Sequence, residues 1–261
     1  MAFWGKRVAS PVIEVVPLSL VVTMFVREGI VMAADSRLTL NNTVQQNAQV
    51  TNQLSVTQTD SNFKVFLAPG NVGIATFGMG DIGGVPIAGY IESFMEEMLA
   101  GQQVEIDRIP GMILDYFTAM KVPPATYFHI GGYKLENGRL VQYVFEVNIP
   151  AKSIKRVNKP DPKGSEHLGS SWGGETDLLI RLLNPSCWKG ADGRFYDNAQ
   201  YNIPWQFFTL QDAIDFAVFA VRTTADTMRF QPRPKTVGGP IDVLVIKPKE
   251  SFWVQKKTLH L

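Results

Sequence analysis

What most limits the folds open to this chain is the order in which two kinds of apolar segment follow one another. Short, β-branched apolar runs fill residues 18–25 and 29–34, then 63–67 and 72–77. The turns Arg27-Glu28-Gly29 and Pro69-Gly70-Asn71 join them into two predicted hairpins. Glycines 78, 80, 83 and 84 then lead into helical spacing. Ile87, Ile91, Phe94, Met95 and Met98 mark a helix over 87–99 closed by Gly101. Ile113, Phe117 and Met120 mark a second over 109–120, stopped by Pro123-Pro124. Period two returns in 126–132 and 139–147 around Asn137-Gly138, a hairpin signal. A shorter strand pair is predicted at 153–157 and 166–168, about a turn at 160–164.

Gly173-Gly174 precede a predicted helix over 175–183, with Glu175 and Asp177 in its first turn where the helix dipole favours acids. After an irregular aromatic stretch over 184–205, Thr209 caps a long helix ending at Arg229, buried along Ala213, Phe216, Ala217, Ala220 and Val221. A last strand covers 241–246, and 247–261 reads as a tail. Strands, two helices, strands, two helices and a strand imply an α+β fold. The expected architecture is a four-layer αββα sandwich, two mainly antiparallel sheets face to face with helices on both outer sides, in one domain.

Composition narrows the function. The chain has 261 residues, 45% apolar, with a net charge of +1, so no long-range field draws it to nucleic acid or an anionic membrane. No run approaches the roughly 18 unbroken apolar residues of a membrane span. Pro11, Glu14 and Pro17 interrupt the apolar N-terminal stretch, which argues against a secretory leader and for a cytoplasmic protein. The single cysteine, Cys187, excludes an internal disulfide and is expected to be a small packed residue. His129, His167 and His260 lack metal-ligand spacing, so neither a metal nor another cofactor is expected. The glycines at 78–84 lack the Gly-Lys-Ser/Thr ending of a phosphate loop. Glu92, Glu96 and Glu97 read as a solvated helix face. The Asn/Gln-rich segment 40–60 reads as a mobile polar loop or an edge hairpin.

Four segments carry a family resemblance. Gly29-Ile-Val-Met-Ala-Ala-Asp-Ser-Arg37 resembles the second strand of proteasome β subunits. Phe63-Lys64-Val65-Phe66, with Gly73-Ile-Ala-Thr-Phe-Gly78, is similar to that family's lysine-bearing strand and the strand after it. Ile130-Gly131-Gly132-Tyr133, followed by Tyr143-Val144, resembles its middle hairpin, and 237–246 its final turn and strand. The set spans nearly the whole chain and implies the sandwich of N-terminal nucleophile (Ntn) hydrolases over 19–246, with 1–18 an N-terminal segment or propeptide.

In that family cleavage makes a threonine the first residue, and its hydroxyl attacks a peptide carbonyl while its own α-amine serves as base. A free α-amine titrates at about 7.7–8.0 and so suits work near neutral pH. The resemblance puts Ser19 at the nucleophile's position, with Asp35 and Lys64 as its buried acid and lysine. It puts Thr39 on the substrate-pairing strand, Gly78 at the oxyanion donor and Ser170 near an auxiliary serine. An Asp35–Lys64 pair is expected even without catalysis, since buried charges must be paired.

Two departures stand against activity. Leu18 replaces the glycine before the nucleophile, and Pro234-Lys235-Thr236-Val237-Gly238-Gly239 lacks the family's auxiliary aspartate and serine. The resemblance therefore implies either of two proteins. One is an endopeptidase or amidohydrolase of the threonine-type peptidase family, acting on peptides or unfolded proteins through Ser19. The other is an uncleaved subunit with a structural or assembly role. An Ntn amidase for small molecules is a more distant third. Each proteasome-like case implies a ring-forming homo-oligomer, with an ATPase as a further partner. The Asn/Gln segment and the aromatic stretch 188–205 are the expected contact surfaces.

Overall fold

Every residue of β1 (Leu20–Val26) and β2 (Gly29–Ala34) is buried, because this hairpin lies inside the molecule with both faces covered. The computed structural model describes residues 19–46, 49–162, 164–199 and 201–258. β3 (Leu38–Gln46) and β4 (Gln49–Thr59) follow and, among the described residues, pair only with each other, so the polar insert is a two-stranded ribbon of its own. β5 (Val65–Ala68) and β6 (Val72–Gly78) form the next hairpin, turned at Gly70 and Asn71, both at positive φ. A small hairpin, β7 (Asp81–Ile82) with β8 (Val85–Pro86), leads into α1 (Ile87–Phe94), which runs on into a π-helical turn over Met95–Leu99. α2 (Ile109–Thr118) precedes the long hairpin of β9 (Thr126–Glu136) and β10 (Arg139–Asn148), turned at Asn137-Gly138 as the residue pair demands.

The chain then departs from the predicted order. β11 (Ser153–Arg156) pairs with β10, not with residues 166–168. The next strand is instead β12 (Gly169–Gly174), which pairs with β1 in the other sheet. The Pro- and Gly-rich stretch between them is a crossing from one sheet to the other. α3 (Asp177–Leu183) follows. The irregular aromatic region contains β13 (Cys187–Lys189) and β14 (Phe195–Asp197), a two-stranded hairpin on which Cys187 is exposed rather than packed. α4 (Leu210–Arg229) begins at Thr209, whose side chain and that of Asp212 form a reciprocal capping box. β15 (Asp242–Ile246) ends the predicted pattern, yet part of the expected tail is a further strand, β16 (Ser251–Gln255), paired with β15.

Two five-stranded antiparallel sheets result, in the orders β12-β1-β2-β15-β16 and β11-β10-β9-β6-β5. Three apolar clusters stack the layers. Ala213, Ala217, Ala220 and Val221 of α4, with Leu179 of α3, pack on Val22, Met24, Val31 and Val243 of the first sheet. Ile87, Ile91 and Phe94 of α1, with Ile113 and Phe117 of α2, pack on Ile74, Phe128 and Ile130 of the second. Val21, Phe25, Ile30, Met32, Val65, Phe77 and Leu244 fill the space between the sheets. Each large apolar side chain contributes about 1.5–3 kcal/mol when fully buried. Close approach of the sheets rests on bare backbone. A Cβ on Gly73 would stand 2.7 Å from the Met32 sulfur, and one on Gly131 2.8 Å from its methyl carbon. No helix among the described residues is long and apolar enough to cross a membrane.

Candidate functional site

The site forms where the first hairpin leaves the sandwich. Asp35, the first residue after β2, is 1% exposed and receives a donor on every side. Its Oδ1 accepts the Lys64 ammonium at 2.8 Å and the Leu20 amide at 3.0 Å. Its Oδ2 accepts the amides of Arg37 at 3.1 Å and Gly238 at 3.0 Å. Lys64 stands just before β5, so the ion pair ties the second sheet to the first. Burial pushes the Lys64 ammonium below its ordinary value, the neighbouring cations Lys257 and Arg37 push the same way, and Asp35 opposes them.

Ser19 enters β1 immediately before Leu20 and is itself buried. Its carbonyl accepts the Glu175 amide at 2.8 Å. Glu175 is missing from the candidates that the sequence suggests. Its carboxyl takes the Thr236 hydroxyl at 3.1 Å on one oxygen and Arg233 at 3.3 Å on the other. Arg233 also reaches Asp177 at 3.2 Å. Burial raises the Glu175 carboxyl above its ordinary range. These residues come from the start of α3 and the loop after α4, so no local motif joins them. The one signal in the sequence is the acid pair Glu175 and Asp177, which helix-dipole placement alone accounts for.

The remaining candidates divide. Thr39 lies in β3 opposite Thr57, fully buried, its hydroxyl without a hydrogen-bond partner among the described residues. Gly78 ends β6 at φ +98°, and a Cβ there would stand 2.7 Å from the Ala125 carbonyl, so only glycine fits. The adjacent Phe77 ring covers Gly173, which pairs with Val21, so β6 ends beside the start of β1. Ser170 is not brought to Ser19. It pairs with Met24, four ladder positions from the Leu20–Gly174 pair, or about 13 Å along the strand. The segment that meets Ser19 is Gly174-Glu175.

Arg37 seals the surface beside Asp35. It grips Asp60 through two bonds of 2.7 and 2.8 Å and lies where a Cβ on Gly238 would be 2.6 Å from its guanidinium carbon. Asp60 is held below the ordinary carboxylate range by this contact. His129 is used elsewhere. It bridges the sheets, with Thr23 at 2.9 Å on Nδ1 and Ser171 at 3.3 Å on Nε2, and burial lowers its pKa to about 4. Among the described residues no group of three or more His, Cys, Asp or Glu could hold a metal ion.

Comparison with protein-family models and with curated proteins yields no match. A hydroxyl residue stands at the head of a buried strand. A buried acid binds both the amide of the next residue and a lysine. A second acid, raised by burial, holds the carbonyl of the hydroxyl residue through its own amide. Residues 1–18 lie outside the described residues, as does His260.

Proposed function

We propose that this chain is a proteasome-β-like Ntn hydrolase that cleaves peptide bonds with Ser19 after residues 1–18 are removed. One observation carries the reading. The buried Asp35–Lys64 pair is bonded through Asp35 to the amide of Leu20, one residue from the hydroxyl that would act. The two sheets with helices on both outer sides agree with the αββα sandwich of that superfamily.

In this reading the freed α-amine of Ser19 takes the hydroxyl proton as the oxygen attacks a peptide carbonyl. The amine returns the proton to the departing peptide nitrogen, leaving an ester on Ser19. Water then attacks the ester, its proton again taken by the amine, and Ser19 is restored. The nearby Lys64 cation favours the neutral amine. Gly78 supplies the backbone turn beside the developing oxyanion, and Thr39 lines the substrate strand. The same reading places the protein in the cytoplasm, in a ring of like subunits acting on peptide or unfolded protein, with an ATPase as a feeding partner.

A second reading, an uncleaved ring subunit with a structural role, is favoured by Leu18 before Ser19 and by the burial of Ser19 and Thr39. Intact mass of untagged, matured protein separates the two. A chain beginning at Ser19, with peptide hydrolysis abolished in Ser19→Ala, supports the hydrolase. A chain that keeps residues 1–18 has no α-amine at Ser19 and overturns it.

A further inference from the structure

A second buried ion pair lies beside the first. Asp242 opens β15 opposite Ala34, the residue before Asp35. Its carboxylate accepts the ammonium of Lys257 on one oxygen and the Lys257 amide, at 2.8 Å, on the other. The two side chains are 2% and 5% exposed. Lys257 follows β16, two residues past Gln255, the partner of Val243. Its ammonium also lies 4.3 Å from the ring centre of Phe63, the residue before Lys64.

We propose that Lys257 is a positioning residue for the Ser19 site, a second buried cation that acts through the Asp35–Lys64 pair and does not touch substrate. The proposal rests on the hydrolase reading for its purpose, but its geometry does not. Sheet pairing puts Asp242 and Asp35 at one end of the inter-sheet core, and each takes a lysine from a different segment. A buried carboxylate such as Asp242 demands a cation. By meeting that demand, Lys257 sets its ammonium against Phe63, one residue from Lys64, and on the partner of Ala34, one residue from Asp35.

The charged groups facing this array are few. Lys64 is acted on by Asp35, Lys257 and Arg37, and itself acts on Asp60. Lys257 is acted on by Asp242, Asp35 and Lys256. Asp35 and Lys64 thus feel two further cations, Arg37 and Lys257. Removing Lys257 takes away one of the two that disfavour a charged Lys64. The Lys64 ammonium then holds its proton to higher pH.

The test follows the Lys64 Nζ resonance in nitrogen-15 lysine-labelled full-length protein, assigned by its loss in Lys64→Arg. Lys257→Met keeps the apolar stem and deletes the charge, and the Lys64 titration is expected to move to higher pH. Lys257→Arg keeps a cation and leaves the titration near its wild-type position. Because Lys257→Met strands the Asp242 carboxylate, a second variant guards against misfolding. Lys257→Met/Asp242→Leu removes the whole second pair, leaves no stranded charge, and is expected to show the same upward direction. An unchanged Lys64 titration in the double variant overturns the proposal and makes Lys257 a mere partner for Asp242. No turnover enters this measurement. If Lys64 moves as expected while intact mass shows no chain starting at Ser19, the proposal stands and the hydrolase reading falls.

Discussion

A Cβ on Gly174 would lie 1.8 Å from the carbonyl oxygen of Ser19. Gly174 also holds φ at +95°, so two independent constraints keep a side chain out of this position. The absent side chain lets Glu175 bring its amide to the same carbonyl.

Gly174→Ala is therefore expected to lose at least about 1–3 kcal/mol from backbone strain alone, with the displaced Ser19 adding to it. Urea unfolding checks this. Gly193→Ala, also at positive φ but with open space around the added carbon, serves as the strain-only control and loses less.

Asp35→Asn strands the Lys64 ammonium in the core and is expected to lose about 3–5 kcal/mol, measured by urea unfolding. The paired change Asp35→Asn/Lys64→Met removes both charges, keeps a side-chain oxygen for the backbone amides that Asp35 accepts, and recovers part of that stability. On the hydrolase reading it abolishes peptide cleavage all the same, so stability and activity separate.

His129 gives the fold an acid sensitivity. Its folded pKa is depressed to about 4, against 6.5 for a free histidine, so the unfolded chain binds the proton first. Stability from this residue is complete above pH 6.5 and is lost as pH falls towards 4. The difference amounts to about 3 kcal/mol. His129→Gln is expected to flatten the stability profile in that window, read from urea midpoints at successive pH values.

Cys187 is exposed on a short hairpin outside the three apolar clusters. A thiol reagent is expected to modify one sulfhydryl per chain in the native protein, at a rate little changed by denaturant. A thiol that reacts only after unfolding would contradict this placement.

Helices and hairpins with local signals are legible in the residues. Thr209 with Asp212, Asn137-Gly138 and the Ile/Phe spacing of α1 and α2 each carry their instruction within a few positions. What escapes a sequence reading is non-local. Gly169–Gly174 escapes the predicted strand at 166–168 because its glycines leave nothing to alternate, yet Gly173 is bare so that the Phe77 ring can cover it. β16 has five residues beside charged neighbours, and its pairing with β15 is decided by the sheet edge it meets. Residue type alone puts Cys187 inside, and only the hairpin's position shows otherwise.

At the site, Asp35 and Lys64 are separated by the whole β3–β4 ribbon, so no spacing rule connects them and only the family resemblance suggests the pair. The serine and glycine neighbours of Ser170 match it to the site, and the ladder moves it away from Ser19. Glu175, Thr236 and Arg233 meet only in three dimensions.

The first sheet draws its strands from the two ends and the middle of the chain, while the second uses only residues 65–156. During synthesis the second sheet and its helices have all their partners once the ribosome has passed β11. The hairpin of β1 and β2 must then wait for β12, and longer still for β15 and β16, before either of its edges is covered. Ser19 and Asp35 are made among the earliest of the described residues and enclosed among the last, so a shortened nascent chain leaves an apolar hairpin open to the wrong partner.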